Sequence, residues 1–265
     1  MLVMRILVAV KQVITPDLPP ELFELDPVAL RQRPDGHPLV ASVYDEHALE
    51  VALQIKDRHG AAVMVATVGP EAATRVLRKA LAMGADEALR VDPEGADDRD
   101  SGVIAALLAA VAVRQGASLV LCGCQSADWG WEQTGPLVAG ILAWPCVTFA
   151  TAVDVAPGYL LVTRPVRDGY ERLRVRGSAV VTITSSRGNQ PRMPRVRAIL
   201  QAERRAIAVL PAGELTSHTA VRPSPRLVDL RLTLPRAGCE MVAGDAPSDQ
   251  ARALVQLLRD RRLLP

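Results

Sequence analysis

Residues 117–145 contain the side chains and backbone groups that could bind a phosphate. An apolar run there gives way to glycines and small polar residues, and an apolar helix-like segment follows, so the order predicts a buried strand, a loop and a helix. Free backbone N–H groups at the start of a helix attract phosphate, and Gln133 and Thr134 add side-chain donors. Gly123 and Gly130 allow the backbone to approach a ligand closely. The stretch therefore predicts a nucleotide site, and the alternative is an ordinary surface loop.

The elements that must position this loop form an alternating pattern. Four short apolar runs alternate with three helical patterns, which predicts a mostly parallel sheet with helices on both faces. Ligands bind such sheets at the carboxyl ends of the strands. A later pair of extended segments, joined by a turn containing Asp168-Gly169, predicts an antiparallel hairpin. The predicted strands are 6–10, 61–68, 87–91, 118–122, 147–155, 159–166, 170–175 and 178–184, and the predicted helices are 42–59, 71–83 and 101–115.

The carboxyl-terminal third has a different composition. Residues 185–206 are rich in arginine and proline, which is compatible with a docking surface or with a solvated helix face. Residues 207–265 are rich in proline and polar residues and end in an amphipathic helical pattern at 248–263, so we predict an extended arm that packs on a partner subunit. The domain organisation expected is therefore an α/β domain at 1–184, a partner-recognition loop at 185–206 and an arm at 207–265.

Composition excludes several classes of function. The 31 basic and 29 acidic residues nearly cancel, which gives no reason to expect a nucleic-acid partner. The sequence has no apolar run of the roughly 18 residues that a membrane span needs and no signal-peptide pattern, so we expect a cytoplasmic protein. Cys122 and Cys124 have no second Cys/His pair at ligand spacing, so we predict small core residues here and no metal site.

The loop and its flanking blocks resemble a known family. Gln125-Ser-Ala-Asp128, Gln133-Thr-Gly-Pro136, Ala139-Gly140 and Trp144-Pro145 are similar to the signature loop of the β subunit of electron-transfer flavoproteins. Further blocks resemble that family in the same order and at similar spacing, almost from end to end. These blocks are Arg5–Lys11, Asp45–Glu50, Val68–Pro70, Lys79–Asp86, Ala179–Thr182 and Asn189–Arg192.

The resemblance implies a fold, a cofactor and a partner. The fold would be a doubly wound, mostly parallel α/β sheet of the adenine nucleotide α-hydrolase type. The chain would pair with an α subunit that carries the redox FAD, and it would itself hold a structural AMP, or a second FAD in the electron-bifurcating branch. It would have no catalytic acid or base of its own, since the chemistry belongs to the flavin. The residues implied for nucleotide binding are Ala9, Ser42, Tyr44, Val68, Gly123, Gln125, Ser126, Asp128, Gly130, Gln133 and Thr134.

Two stretches depart from the family pattern. Ser42-Val43 stands where relatives often have Asn-Pro, which weakens the prediction of base or ribose recognition at this point. Residues 129–132 read Trp-Gly-Trp-Glu where relatives are rich in Asp and Asn, and Glu132 would repel a phosphate unless its side chain turned outward. The bulk of Trp129 and Trp131 favours AMP over a second FAD.

The family's recognition loop, which docks a dehydrogenase electron donor, resembles residues 189–200. The apolar anchor position is Val196, smaller than the usual leucine, and Arg197 replaces an expected proline. Arg192 and Arg195 complete the predicted docking residues. A membrane quinone oxidoreductase is the type of acceptor that the resemblance implies.

Two other classes of protein share part of this sequence pattern. A nucleotide-binding regulator of the universal-stress-protein kind shares the parallel sheet, but it lacks the arginine-proline loop and the long arm. A dinucleotide-dependent dehydrogenase or an ATP pyrophosphatase would need a glycine-rich phosphate loop, and neither Gly-x-Gly-x-x-Gly after the first strand nor such a loop with lysine is present.

Overall fold

A seven-stranded parallel sheet forms the centre of the computed structural model, which describes residues 4–34, 36–94, 100–215, 227–232 and 238–264. The strands are β1 (Arg5–Ala9), β2 (Gln12–Ile14), β3 (Leu25–Asp26), β4 (Arg31–Gln32), β5 (Leu39–Ala41), β6 (Ala62–Val68), β7 (Glu87–Asp92), β8 (Leu119–Gly123), β9 (Cys146–Ala150), β10 (Ala152–Ala156), β11 (Tyr159–Val166), β12 (Gly169–Val175), β13 (Ala179–Ile183) and β14 (Ala208–Pro211). The helices are α1 (Val43–His59), α2 (Thr74–Met83), α3 (Ser101–Arg114), α4 (Thr134–Leu142), α5 (Val196–Glu203) and α6 (Pro247–Asp260). The strand order of the sheet is β14-β7-β6-β1-β8-β13-β9.

The sheet is doubly wound, with a hydrophobic core on each face. Ile6 and Val8 point into the core that α1 and α2 cover, whereas Leu7 points into the core that α3 and α4 cover. Because both faces are buried, the central strands are continuous apolar runs, and all five residues of β13 are buried. The chain order reverses between β1 and β8, which is where a doubly wound sheet opens a crevice. The predicted fold class is confirmed.

The predicted hairpin is present, but it belongs to a separate sheet. β11 and β12 pair antiparallel, and β10 adds a third strand, so the sheet order is β10-β11-β12. The single extended segment predicted at 147–155 is divided: β9 joins the parallel sheet beside β13, and β10 leaves it. The break between the two strands falls at Thr151, and Phe149 within β9 has φ 57°, where the register between β9 and β13 shifts between Val181 and Ile183.

The segment expected to be an arm from residue 207 begins inside the parallel sheet. β14 pairs with β7 as an edge strand, from Ala208 opposite Leu89 to Pro211 opposite Asp92. Ala212 and Leu215 are then buried in the core on the α3 and α4 face. The chain divides into two compact units, Met1–Val228 and Asp229–Pro265, and the second contains α6, none of whose residues is buried. Within the described residues, the structure has no helix of the length and apolar character that a membrane crossing requires.

Candidate functional site

A pocket opens at the reversal point of the sheet. It is open to solvent and lies between the ends of β1, β6 and β8 and the starts of α3 and α4, and the space within its outline, including solvent at its opening, is about 830 Å³. Seven of the residues predicted to bind a nucleotide line it, namely Ala9, Val68, Gly123, Gln125, Ser126, Gln133 and Thr134. Residues far apart in the sequence meet here because parallel strands end at the same edge of a sheet.

The start of α4 supplies the hydrogen-bond donors of the pocket. The N–H groups of Thr134 and the buried Gly135 lie in the first turn of the helix, and neither has an acceptor among the described residues. Pro136, the next residue, has no N–H. The Ser101 hydroxyl donates to Gln133 Oε1 across 3.0 Å, which leaves the Gln133 amide N–H groups available to a ligand. A buried N–H without a protein partner, beside a free amide, suits one phosphate group.

Asp45 ties three elements together at the edge of the pocket. It lies in the first turn of α1 and is buried. Its Oδ2 accepts the Lys11 N–H and its Oδ1 accepts the Gly123 N–H, each at 2.8 Å, so the carboxylate holds α1 against the residue that follows β1 and against the end of β8. Burial raises the pKa of Asp45 to about 7, although the two N–H donors and the Lys11 ammonium act in the opposite direction.

Gly123 is required where α1 meets β8. A Cβ at this position would lie 2.6 Å from Asp45 Oδ1 and 2.8 Å from Tyr44 Cβ. Tyr44 itself is partly buried on the α1 side of this contact and does not line the pocket. The close approach therefore explains the glycine, while Tyr44 packs behind it.

Three other predicted residues hold the signature loop (residues 124–133) in place and do not line the pocket. Ser42 is fully buried at the N-cap position of α1, but its hydroxyl accepts the Ala127 N–H at 3.2 Å and makes no cap hydrogen bond. Asp128 forms an ion pair with Lys11 at 2.6 Å, and although burial opposes it, the Lys11 ammonium keeps the pKa of Asp128 below its ordinary value. Gly130 adopts φ 62°, a left-handed conformation that glycine adopts without strain.

The two tryptophans of the loop form a pair at the mouth of the pocket. Trp129 and Trp131 both line it, and their ring centroids lie 5.7 Å apart with an interplanar angle of 63°. An edge-to-face pair of this kind provides a large apolar surface that can contact a base. The next residue, Glu132, also lines the pocket and has φ 60°.

A polar stripe on α1 anchors the segment that is predicted to dock a partner (residues 189–200, the docking segment). His47 Nδ1 lies 2.8 Å from the Asn189 carbonyl oxygen, and Gln54 Nε2 donates to the Gly188 carbonyl at 2.8 Å. Asn189 is fully buried, and its amide also donates to two backbone carbonyls. The base of the segment is thus fixed to the same helix that borders the nucleotide pocket.

Arg192, predicted as a docking residue, has its guanidinium held by α1. It donates to both carboxylate oxygens of Glu50 at 2.9 Å, and it also lies 2.9 Å from Asp57. Hydrogen bonds to these carboxylates raise the pKa of Arg192 above its ordinary value. The Glu50 side chain is only 6% exposed, so the ion pair is largely protected from solvent.

The rest of the docking segment is exposed. Val196 is 74% exposed at the start of α5, and Met193 and Leu200 present further apolar surface beside it. Arg195 and Arg197 are exposed and have no ion-pair partner among the described residues. An apolar ridge flanked by free guanidinium groups is suited to a partner with an apolar pocket and acidic edges.

Sequence reasoning missed the roles of Lys11, Asp45 and the α1 stripe. The Asp45 hydrogen bonds connect residues 34 and 78 positions apart, and no local pattern reveals them. The stripe did have a signal, because His47, Glu50, Gln54 and Asp57 recur every three or four residues and therefore share one face of the helix.

Comparisons with known proteins agree on one family. A family model described as the electron transfer flavoprotein domain matches residues 35–215. The electron transfer flavoprotein subunit beta of Thermoanaerobacterium thermosaccharolyticum is 32% identical over 98% of this chain and 100% of the relative. The caffeyl-CoA reductase-Etf complex subunit CarD of Acetobacterium woodii is 32% identical over the same shares. The electron transfer flavoprotein subunit beta of Homo sapiens is 34% identical over 80% of this chain and 83% of the relative.

Proposed function

The chain belongs to the electron transfer flavoprotein β-subunit family, and from that premise we propose that it is the non-catalytic half of a heterodimeric electron carrier. It binds a structural AMP in the pocket between β1 and β8 and supports the FAD that an α subunit carries. That FAD would supply the redox chemistry for electron transfer between dehydrogenases and an acceptor. We propose that this carrier operates in the cytoplasm and that its acceptor is of the membrane quinone oxidoreductase type.

The start of α4 is the observation on which the AMP assignment rests. The N–H groups of Thr134 and Gly135 and the Gln133 amide would hold the phosphate, and Gly123 would let the backbone approach the nucleotide. The indole surface of Trp129 would cover the base. These residues bind and orient a ligand, and they exclude water from one side of it. None of these steps calls for an acid or a base.

The alternative function is that of a β subunit of an electron-bifurcating flavoprotein, in which the pocket would bind a second FAD in place of AMP. A relative whose name places it in a caffeyl-CoA reductase-Etf complex matches 98% of this chain, which keeps a larger assembly and a different nucleotide under consideration. The two indoles at the pocket mouth favour the smaller ligand.

Extraction of the purified heterodimer tests the choice between the two nucleotides. We expect one flavin and one AMP per heterodimer, measured by absorption and by mass spectrometry of the released small molecules. Two flavins per heterodimer would favour the alternative. Release of no nucleotide other than the α-subunit flavin would refute a nucleotide site in this chain.

The exposed ridge at Val196 is proposed to dock the electron donor. Val196 has one methylene fewer than the leucine expected there, and burying one methylene fewer forfeits about 0.8 kcal/mol. The donor of this protein therefore need not be the usual acyl-CoA dehydrogenase. Arg195 and Arg197 would contact acidic edges on the donor, while Arg192, held by Glu50 and Asp57, positions the segment.

Val196→Asp tests the docking proposal. Docking would bury the new carboxylate without a partner in the donor's apolar pocket, which is costly. Reduction of the heterodimer by its native donor should therefore slow by at least tenfold, while the flavin content stays constant. Val28→Asp is the matched control, since Val28 is 92% exposed in the turn between β3 and β4. Stopped-flow reduction measures both variants, and equal rates for the two would remove the docking role from this ridge.

The carboxyl-terminal region is proposed to contact the α subunit. Apolar side chains of α6 such as Leu254 and Val255 are 44% and 39% exposed, and no residue of this helix is buried. An amphipathic helix of this kind gains stability by burying its apolar stripe against a partner. The proposed organisation is an α/β domain (1–184), a recognition loop (185–206) and an arm (207–265). The first residues of the arm, β14 and 212–215, pack on the α/β domain.

A further inference from the structure

Glu132 is a charged side chain in the pocket that the proposed function leaves unused. It is exposed, lines the cavity, and has neither an ion pair nor a hydrogen bond among the residues the structure describes. Its φ of 60° is a strained conformation for a residue other than glycine. Strained residues of this kind cluster at functional sites, where the surrounding structure holds them.

The position of Glu132 places it beside the anion-binding end of α4. It directly precedes Gln133, the N-cap residue, so it flanks the free N–H groups of Thr134 and Gly135. As a pocket-lining residue next to the N-cap, Glu132 brings its charge close to any anion bound at the start of α4.

No charged side chain in the described part of the pocket is free to offset the Glu132 carboxylate. Among the described residues that line the pocket, the charged side chains are Lys11, Asp45 and Glu132. Lys11 is paired with Asp128 at 2.6 Å, and Asp45 is committed to two backbone N–H groups. Pro136 also reduces the donors in the first turn of α4, so they suffice for a single phosphate.

We propose that Glu132 determines the phosphate number of the ligand, so that the pocket takes a nucleoside monophosphate and rejects a diphosphate. This inference rests on the proposed nucleotide site. A second phosphate is one anhydride bridge from a phosphate held at α4, where it would meet the Glu132 charge, and no described pocket residue offers an unpaired cation to offset it. Like charges near a protein surface repel each other, because the local dielectric constant is lower than that of bulk water. The same repulsion acts against the pyrophosphate of a dinucleotide such as FAD.

Calorimetric titration of the full-length chain with AMP and with ADP tests the proposal. The wild type should bind AMP at least tenfold more tightly than ADP. Glu132→Gln keeps the size of the side chain and removes its charge, and it should reduce the preference to threefold or less, mainly through tighter binding of ADP. Glu71→Gln, at an exposed glutamate outside the pocket, is the matched control and should keep the wild-type ratio.

The outcomes separate this inference from the proposed function. AMP binding with an unchanged AMP-to-ADP ratio in Glu132→Gln overturns the role of Glu132 alone. A wild type that binds ADP as tightly as AMP also overturns it. A chain that binds neither nucleotide overturns the nucleotide site and this inference together. Melting temperatures of the variants, compared with the wild type, check that all of them are folded.

Discussion

Replacing Arg192 by methionine tests whether this arginine anchors the docking segment or contacts the partner itself. Methionine keeps much of the aliphatic length of the side chain but removes every side-chain donor. The variant loses the two hydrogen bonds to Glu50 and the contact with Asp57, each at 2.9 Å. The Arg192 backbone N–H still donates to Glu50 at 3.1 Å.

The magnitude of the loss follows from the burial of Glu50. Removing one partner of a buried ion pair costs roughly 3–5 kcal/mol, because the other charge is left without compensation. The Glu50 side chain is 6% exposed, but that of Arg192 is 35% exposed, so solvent screens part of the interaction. We therefore expect a loss of about 2–3 kcal/mol in the free energy of unfolding, which for a chain of this size lowers Tm by on the order of 5–10 °C.

Urea denaturation followed by circular dichroism measures the effect. The matched control is Arg195→Met, three residues along the same segment, where the arginine is exposed and has no ion-pair partner among the described residues. The control should change stability by less than about 0.5 kcal/mol. The double variant Glu50→Gln, Arg192→Met should recover part of the loss, because it removes the buried charge that Arg192→Met leaves unpaired.

Two results would refute the reasoning. If Arg192→Met lost less than about 1 kcal/mol, the ion pair would not be what anchors the segment. If Arg195→Met were as destabilising as Arg192→Met, the loss would come from the segment in general and not from the contact with α1.

Two further predictions concern the edge of the pocket. The pKa of Asp45 in the folded state, about 7, lies above its ordinary 3.8, so its stabilising contribution is complete below about pH 4 and is lost as pH rises to 7. Urea denaturation across this range should show the stability of the wild type relative to Asp45→Asn falling by up to about 4 kcal/mol, and a constant difference would contradict the assignment. Gly123→Ala should cost about 1–3 kcal/mol by overpacking against Asp45 and Tyr44 and should lower the AMP content of the heterodimer. Gly140→Ala, where an added Cβ meets nothing within 4 Å, should be neutral or stabilising by thermal denaturation, and equal losses in the two variants would exclude a specific clash.

The central sheet could be predicted from the sequence because its signals are local and strong. β6 was expected at 61–68 and lies at Ala62–Val68, and α1 was expected at 42–59 and lies at Val43–His59. Strands buried on both faces are short, continuous apolar runs, and the glycines that end the helices mark their boundaries. The location of the pocket followed from the same elements, since the edge at which parallel strands end is fixed once the strands are known.

β14 could not be predicted because its stability comes from a distant partner. Its four residues are partly or fully exposed, and they pair with β7, which ends more than 100 positions earlier in the chain. A short edge strand has one neighbour and little apolar periodicity, so its sequence does not differ from that of an irregular segment. The division of the segment at 147–155 has no sequence signal either, since a single residue, Thr151, separates β9 from β10.

Helix α1 connects the two functional surfaces that the sequence suggested separately. Asp45, in its first turn, fixes the pocket edge, and Glu50 and Asp57, further along, fix Arg192 of the docking segment. At 1.5 Å per residue, Asp45 and Asp57 are about 18 Å apart along one helix. The helix therefore holds the proposed docking segment at a set distance from the pocket. Under the proposed function, loss of AMP would disturb that segment only by displacing the first turn of α1, which Asp45 fastens to β8.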